Sequence, residues 1–160
     1  MRAYLGIGAN LGDVEASFSR AIALLDDPPR VRVLRAARRY RTRPIGPPGQ
    51  PDFLNSALEI ETLLEPLALL DRLKQIELEV GRTAGERWGP RVIDLDLLLY
   101  GDQTFDHPRL SVPHRELTGR RFALAPLADL AFDLTVPGTV RTVGQWLATL
   151  EDDPGSVRPA

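Results

Sequence analysis

Two aspartates, Asp94 and Asp96, stand one residue apart inside the apolar run VIDLDLLLY, residues 92–100. Side chains of an extended chain alternate between faces. Ile93, Leu95, Leu97 and Leu99 are therefore expected to share the buried face, with both aspartates on the other. Their Cα atoms would lie about 7 Å apart, so both carboxylates could converge on one cation, or clasp two ions about 4 Å apart. Magnesium favours hard oxygen ligands, typically one or two carboxylates completed by phosphate oxygens. Arg87 and Arg91 lie just upstream and suit a phosphate chain bridged by such a metal. The alternative is an amphipathic strand whose exposed face merely carries two acids. Against it, neighbouring aspartates repel and aspartate is disfavoured in strands.

The elements that must position this pair can be read from periodicity. Ala3, Leu5 and Ile7 alternate with Tyr4, Gly6 and Gly8, which predicts a half-buried first strand. Val14, Phe18, Ala21, Ile22 and Leu25 recur at helical spacing and are followed by Asp26-Asp27-Pro28-Pro29. A strand over about 31–42 comes next. The segment RPIGPPGQP, residues 43–51, holds four prolines and two glycines and must be a loop. In the strand after it, Leu54, Leu58 and Ile60 share one face, and Phe53 and Asn55 the other. Pro66 suits the first turn of a second helix. Leu69, Leu73, Ile76 and Val80 line its face, and Gly81 offers a stop. Beyond the Asp94–Asp96 strand we expect a short strand near Thr104, irregular chain around Pro108 and Pro113, and helices over about 119–130 and 141–150. The order strand, helix, strand, strand, helix, strand is the ferredoxin-like split pattern, an α+β class with helices packed on an antiparallel sheet. That fold hosts many functions and selects none.

Composition narrows the field. At 160 residues, 43 % hydrophobic and 26 % charged, the chain fits one globular domain spanning 1–160, with an acidic, proline-containing tail after about Leu150 expected to be poorly ordered. The formal net charge of −2 argues against nonspecific nucleic-acid binding. No apolar run is long enough to span a membrane and no signal peptide is evident, so a cytoplasmic location is the expectation. The chain has no cysteine, which excludes disulfides and thiolate metal sites. Lys74 is its only lysine among 20 basic residues. Arginine's planar fork suits phosphate, although compositional bias would also account for most of the arginines.

The run ERWGPRVIDLDLLLY, residues 86–100, closely resembles the signature of the 6-hydroxymethyl-7,8-dihydropterin pyrophosphokinase family of folate biosynthesis. YLGIGANLGD, YRTRPIGPPGQPDFLN, IELEVGR and RLSVPHRELTGRRFAL resemble the same family, in its order and near its spacing, so the resemblance covers about residues 3–130. It implies a three-layer arrangement on the ferredoxin-like core. It also implies a reaction: the terminal pyrophosphoryl group of ATP passes to the pterin hydroxymethyl oxygen and AMP is released, with two Mg²⁺ ions holding the triphosphate.

By position, Asp94 and Asp96 match the family's metal ligands. Arg82 and Arg91 match arginines of a catalytic loop that closes on the phosphates, and Trp88 lies on that loop. Phe53 and Phe122 match residues that sandwich the pterin ring by stacking. Asn55 matches one that bonds its amide edge, which the backbone of Thr42, Pro44 and Ile45 would complete. Arg109, His114 and Arg120 match nucleotide-side residues, with Arg87, Glu77, Leu97 and Ser111 placed near them. Without the resemblance, His114 reads equally well as a surface histidine, whereas Trp88, between Arg87 and Gly89 in a glycine-punctuated loop, is a poor candidate for a core anchor. Gly6 to Gly12 is only superficially a phosphate loop, since it lacks the Walker lysine and serine. Close backbone packing beside the pterin accounts for these glycines better.

The chain departs from the pattern in a shorter, less basic segment after Gly81 and in Arg115, where an aromatic is often found. Neither Arg115 nor His107 receives a role. A monomer binding only small molecules is the expectation. Three rivals remain: a Mg²⁺-ATP transferase for another alcohol, an RNA-binding ferredoxin-like module, and an inactive homologue. The RNA-binding module would explain an aromatic sheet face but not two aspartates on it.

Overall fold

The computed structural model describes residues 1–43, 49, 51–81, 92–150 and 157–160. Strand β1 (Arg2–Ala9) is buried on both faces except at its first residue and Gly6, as a central strand must be. Asp13 caps α1 (Val14–Leu25) by accepting from the Ala16 N–H at 3.1 Å, which satisfies a first-turn donor. Strands β2 (Val31–Ala36), β3 (Tyr40–Thr42) and β4 (Phe53–Thr62) follow, then α2 (Pro66–Gly81) and β5 (Asp94–Tyr100). The remainder comprises a hairpin of β6 (Phe105–His107) and β7 (Leu110–Val112), a 3-10 turn at Leu117–Gly119, α3 (Arg121–Ala131), α4 (Val143–Ala148) and β8 (Val157–Pro159).

The main sheet runs β5-β1-β4-β3-β8, with β2 also paired to β4, and every pairing in it is antiparallel. Helices α1 and α2 cover one face. Phe18, Leu25, Leu69, Leu73 and Ile76 pack there on Leu5, Ile7, Leu58, Ile60, Leu95 and Leu97. Helices α3 and α4 cover the other face, where Leu117, Leu124, Leu127 and Val143 pack on Tyr4, Leu98 and Leu99. The ferredoxin-like core and the three layers are thus as expected. Among the described residues no helix is long and apolar enough to cross a membrane.

Four details differ from the periodic reading. The strand expected over 31–42 breaks into β2 and β3, because Ala37, Arg38 and Arg39 lie opposite only Ser56 and Ala57 of β4. Leu99 does not share a face with Leu97. Tyr4 pairs with Leu99 and Leu5 with Leu97, so Leu98 is an extra residue and the alternation slips there. The chain between Pro108 and Pro113, expected to be irregular, holds β7. Part of the tail expected to be poorly ordered is β8, which pairs with β3 through Tyr40–Pro159, Arg41–Arg158 and Thr42–Val157. Strand alternation and helical spacing carry no trace of such pairings, because each is fixed by the strand it pairs with rather than by its own periodicity.

Candidate active site

Asp94 and Asp96 face away from the α1/α2 core, each half-buried, and pair across the ladder with Gly8 and Gly6 of β1. Two clefts meet at this point. The first, of about 260 Å³, has walls that include Thr42, Phe53 and Asn55 from β3 and β4, Asp94 and Asp96 from β5, and Arg120 and Phe122 at the start of α3. The second, of about 310 Å³, is walled by Lys74, Leu97, His107, Arg109, Ser111 and Arg115 among others. Asp96 and His114 belong to both. The carboxylates therefore stand between a slot with two phenyl rings and a basic hollow.

The first cleft is built by short-range chemistry. Phe53 and Asn55 lie two apart on β4 and so share a face. The Asn55 Nδ2 donates to Thr42 Oγ1 at 2.8 Å, which fixes the amide and leaves its Oδ1 toward β1. A Cβ on Gly8 would sit 2.6 Å from that Oδ1, so only glycine lets the strand pass beneath the asparagine. Phe122 comes from the first turn of α3. Pro126, four residues on, has no N–H to give the Phe122 carbonyl, which loosens the helix at this turn. The Arg120 guanidinium lies 5.5 Å from the centre of the Phe122 ring and also pairs with Glu116.

Around the junction, charge is close and partly desolvated. Burial pushes the Asp96 carboxyl up and the neighbouring Asp94 carboxylate pushes it further, against the pull of His114, Lys74 and Arg120. Burial lowers the His114 imidazole, which favours its neutral form. Its Nδ1 accepts from the Glu116 N–H at 3.2 Å, so the neutral ring carries its proton on Nε2. The His114 N–H in turn donates to the Leu98 carbonyl at 2.9 Å. The extra residue in β5 thus supplies the acceptor that seats His114 at the junction.

Glu77 lies behind Asp94 rather than in the wall of either cleft. Its Oε2 accepts from the Leu95 N–H at 2.9 Å and its Oε1 pairs with Lys74 at 3.1 Å. Burial pushes its carboxyl up. Leu97 is buried in the α1/α2 core, yet its edge reaches the second cleft. Arg109 and Ser111 line that cleft, with Arg109 also paired to Asp71. Pro44, Ile45, Arg82, Arg87, Trp88 and Arg91 lie outside the described residues. Lys74, given no role from the sequence, lines the second cleft and pairs with Glu77. His107, left without a role, forms part of the second cleft and stacks on Phe105 with ring centres 6.0 Å apart. Among the described residues, no three His, Cys, Asp or Glu side chains gather into an all-protein metal site. Asp94 and Asp96 instead offer the two-carboxylate set that suits magnesium shared with phosphate oxygens.

A sequence profile of the 7,8-dihydro-6-hydroxymethylpterin-pyrophosphokinase (HPPK) family matches residues 4–132, most of the chain and every described wall of both clefts. The chain belongs to the HPPK family. Among curated relatives, the 2-amino-4-hydroxy-6-hydroxymethyldihydropteridine pyrophosphokinase of Pseudomonas aeruginosa is 45% identical over 136 residues, 85% of this chain and 84% of that one. The enzyme of the same name from Methylorubrum extorquens is 44% identical over 150 residues, 94% of each chain. Among solved structures, Plasmodium falciparum HPPK-DHPS superposes with a TM-score of 0.76 at 15% identity, over 92% of this chain. This chain spans 45% of that longer protein, and at this identity the likeness concerns the HPPK fold.

Proposed function

We propose that this chain transfers the pyrophosphoryl group of ATP to the hydroxymethyl oxygen of 6-hydroxymethyl-7,8-dihydropterin, releasing AMP, as a step of folate biosynthesis. The observation that carries the reading is the meeting of two clefts at Asp96, beside Asp94, one walled by Phe53 and Phe122 and the other by cations. A flat heterocycle entering the first cleft lies between Phe53 and Phe122, where offset stacking contributes about 0.5–1.5 kcal/mol beyond area burial. Asn55, oriented by Thr42, presents its Oδ1 as an acceptor for a ring N–H. Its hydroxymethyl arm then points at the junction.

ATP occupies the second cleft, with its phosphates toward Asp96. Arg109, Arg120 and Lys74 neutralise the phosphate chain, and neutral His114 donates from Nε2 to a phosphate oxygen. The pterin oxygen bonds to the β-phosphorus, the bond from that phosphorus to the α–β bridging oxygen breaks, and the hydroxyl proton is lost. Positioning and charge neutralisation do most of the work in such transfers. Two magnesium ions held by Asp94 and Asp96 would supply Lewis-acid polarisation and charge neutralisation for the triphosphate. Arg82, Arg91 and Arg87 are assigned further phosphate contacts, and Trp88, Pro44 and Ile45 a share in enclosing the pterin. The protein acts as a cytoplasmic monomer without nucleic-acid or membrane partners.

The test separates nucleotide products after incubating the protein with ATP, Mg²⁺ and the pterin alcohol. AMP formed only when pterin and metal are both present is expected. ADP would make the protein an ordinary kinase, and no turnover by folded protein would sink the enzyme reading altogether.

A further inference from the structure

Strand β8 touches both β3 and the residue just ahead of β4, two elements that supply walls of the first cleft. Thr42 is the last residue of β3, and Asp52 stands one residue before Phe53, where β4 begins. Val157 pairs with Thr42 on one side, and Thr42 pairs with Phe53 on the other, so three strands run in register across the cleft's edge. The next residue of β8, Arg158, reaches the approach to β4: its guanidinium donates to the Asp52 Oδ2 at 3.1 Å. The Ala160 N–H donates to the Arg39 carbonyl at 2.9 Å, which closes the ladder beyond β3.

Without β8, a three-residue strand would carry Thr42 as a sheet edge, with its outer backbone groups paired only to water. Thr42 is also the group that orients Asn55. Any loosening of β3 is therefore transmitted to the amide facing the pterin, and loosening at Asp52 is transmitted to Phe53. Neither effect touches the second cleft, whose described walls come from α2, β5 and the β6–β7 region.

We propose that β8 is part of the pterin-binding machinery, with Arg158 as the positioning residue that holds Asp52, and with it Phe53, against Thr42 of β3. This inference rests on the pyrophosphokinase reading. The Arg158 and Asp52 side chains are 43% and 32% exposed, so the ion pair alone contributes at most about 1 kcal/mol, or about fivefold in affinity.

The experiment is steady-state kinetics on the full chain. Arg158→Ala raises the KM for pterin about two- to fivefold, with the KM for ATP unchanged. Arg158→Lys recovers part of the loss. The exchanged pair Asp52→Arg/Arg158→Asp restores the pterin KM that Arg158→Asp alone impairs. Deleting residues 157–160 raises the pterin KM further, about tenfold or more, because the ladder is lost as well. An unchanged pterin KM, an equal rise in both KM values, or no rescue by the exchange would overturn the inference alone. Wild-type protein that forms no AMP would overturn the pyrophosphokinase reading, and the inference with it.

Discussion

Asn55 is held from two sides, by a hydrogen bond from its Nδ2 to Thr42 Oγ1 and by the bare backbone of Gly8 under its Oδ1. Gly8→Ala puts a methyl group where the oxygen now sits, so the amide must rotate away from the cleft. The expected result is a pterin KM raised about tenfold with little change in the ATP KM, since misplacing one contact group by an ångström commonly costs that much or more. Wild-type pterin kinetics in the Gly8→Ala variant would show that Asn55 does not bind the ring. The metal assignment is tested just as locally. Asp94→Asn and Asp96→Asn should each lower AMP formation by roughly a thousandfold or more, the scale of losing a preorganised charge-stabilising group. Thermal melting should stay at or above the wild-type value, because each change relieves repulsion between carboxylates two strand residues apart. Near-normal turnover in either variant would remove these aspartates from the chemistry. Much of this scale was legible in the sequence, since residue type and alternation put Asp94 with Asp96 and Phe53 with Asn55. Lys74 was not, because a lone lysine on a helix acquires meaning only from the cleft it faces.

At the scale of elements, α3 must stay in place over the sheet for Phe122 to oppose Phe53. The break between β2 and β3 provides the fastening. Freed from the ladder, Arg38 bonds the Asp129 carboxylate with its guanidinium, its Nη2 at 3.0 Å from Oδ1. The buried Tyr40 hydroxyl reaches the same carboxylate at 2.9 Å, and Arg35 donates to the Leu130 carbonyl at 2.9 Å. Burial acts to raise the Asp129 carboxyl, but the bonds from Arg38 and Tyr40 outweigh it and hold it below the usual carboxylate range. A depressed acid stabilises the folded state above its unfolded pKa, and that contribution disappears as pH falls through the folded value. Asp129→Ala should therefore cost about 1–3 kcal/mol near pH 7, where it removes the acceptor for the Tyr40 hydroxyl proton. The gap from wild type should narrow as the pH drops below about 4. Chemical denaturation at a series of pH values measures it, and a gap independent of pH would mean that the carboxylate charge plays no part. Periodicity located β1, α1, α2 and β5 because each has a continuous apolar face. It missed the β2–β3 break, β7 and β8 because these short pieces are fixed by what they pair with, and their own residues carry too few alternations to register.

At the scale of the whole molecule, the sheet separates two cores, and the first cleft opens on the α3 side of it. Leu73 of α2 and Leu124 of α3 are both fully buried, in different cores. Each change to alanine should cost about 3 kcal/mol, and the double variant should equal the sum within about 0.5 kcal/mol, since the sites share no partner. A large deviation in urea titrations would mean that the sheet passes strain from one layer to the other. The extra residue at Leu98 bears on how chains of this kind ought to be aligned. Removing it would leave Leu97 toward one core and Leu99 toward the other, so the hydrophobic pattern would read as undisturbed and any scoring by hydropathy would accept the gap. What would be lost is a carbonyl, the one that receives His114. A single-residue gap at this point in a related sequence would thus remove the backbone acceptor that seats the residue corresponding to His114, a change that side-chain comparison alone would pass over.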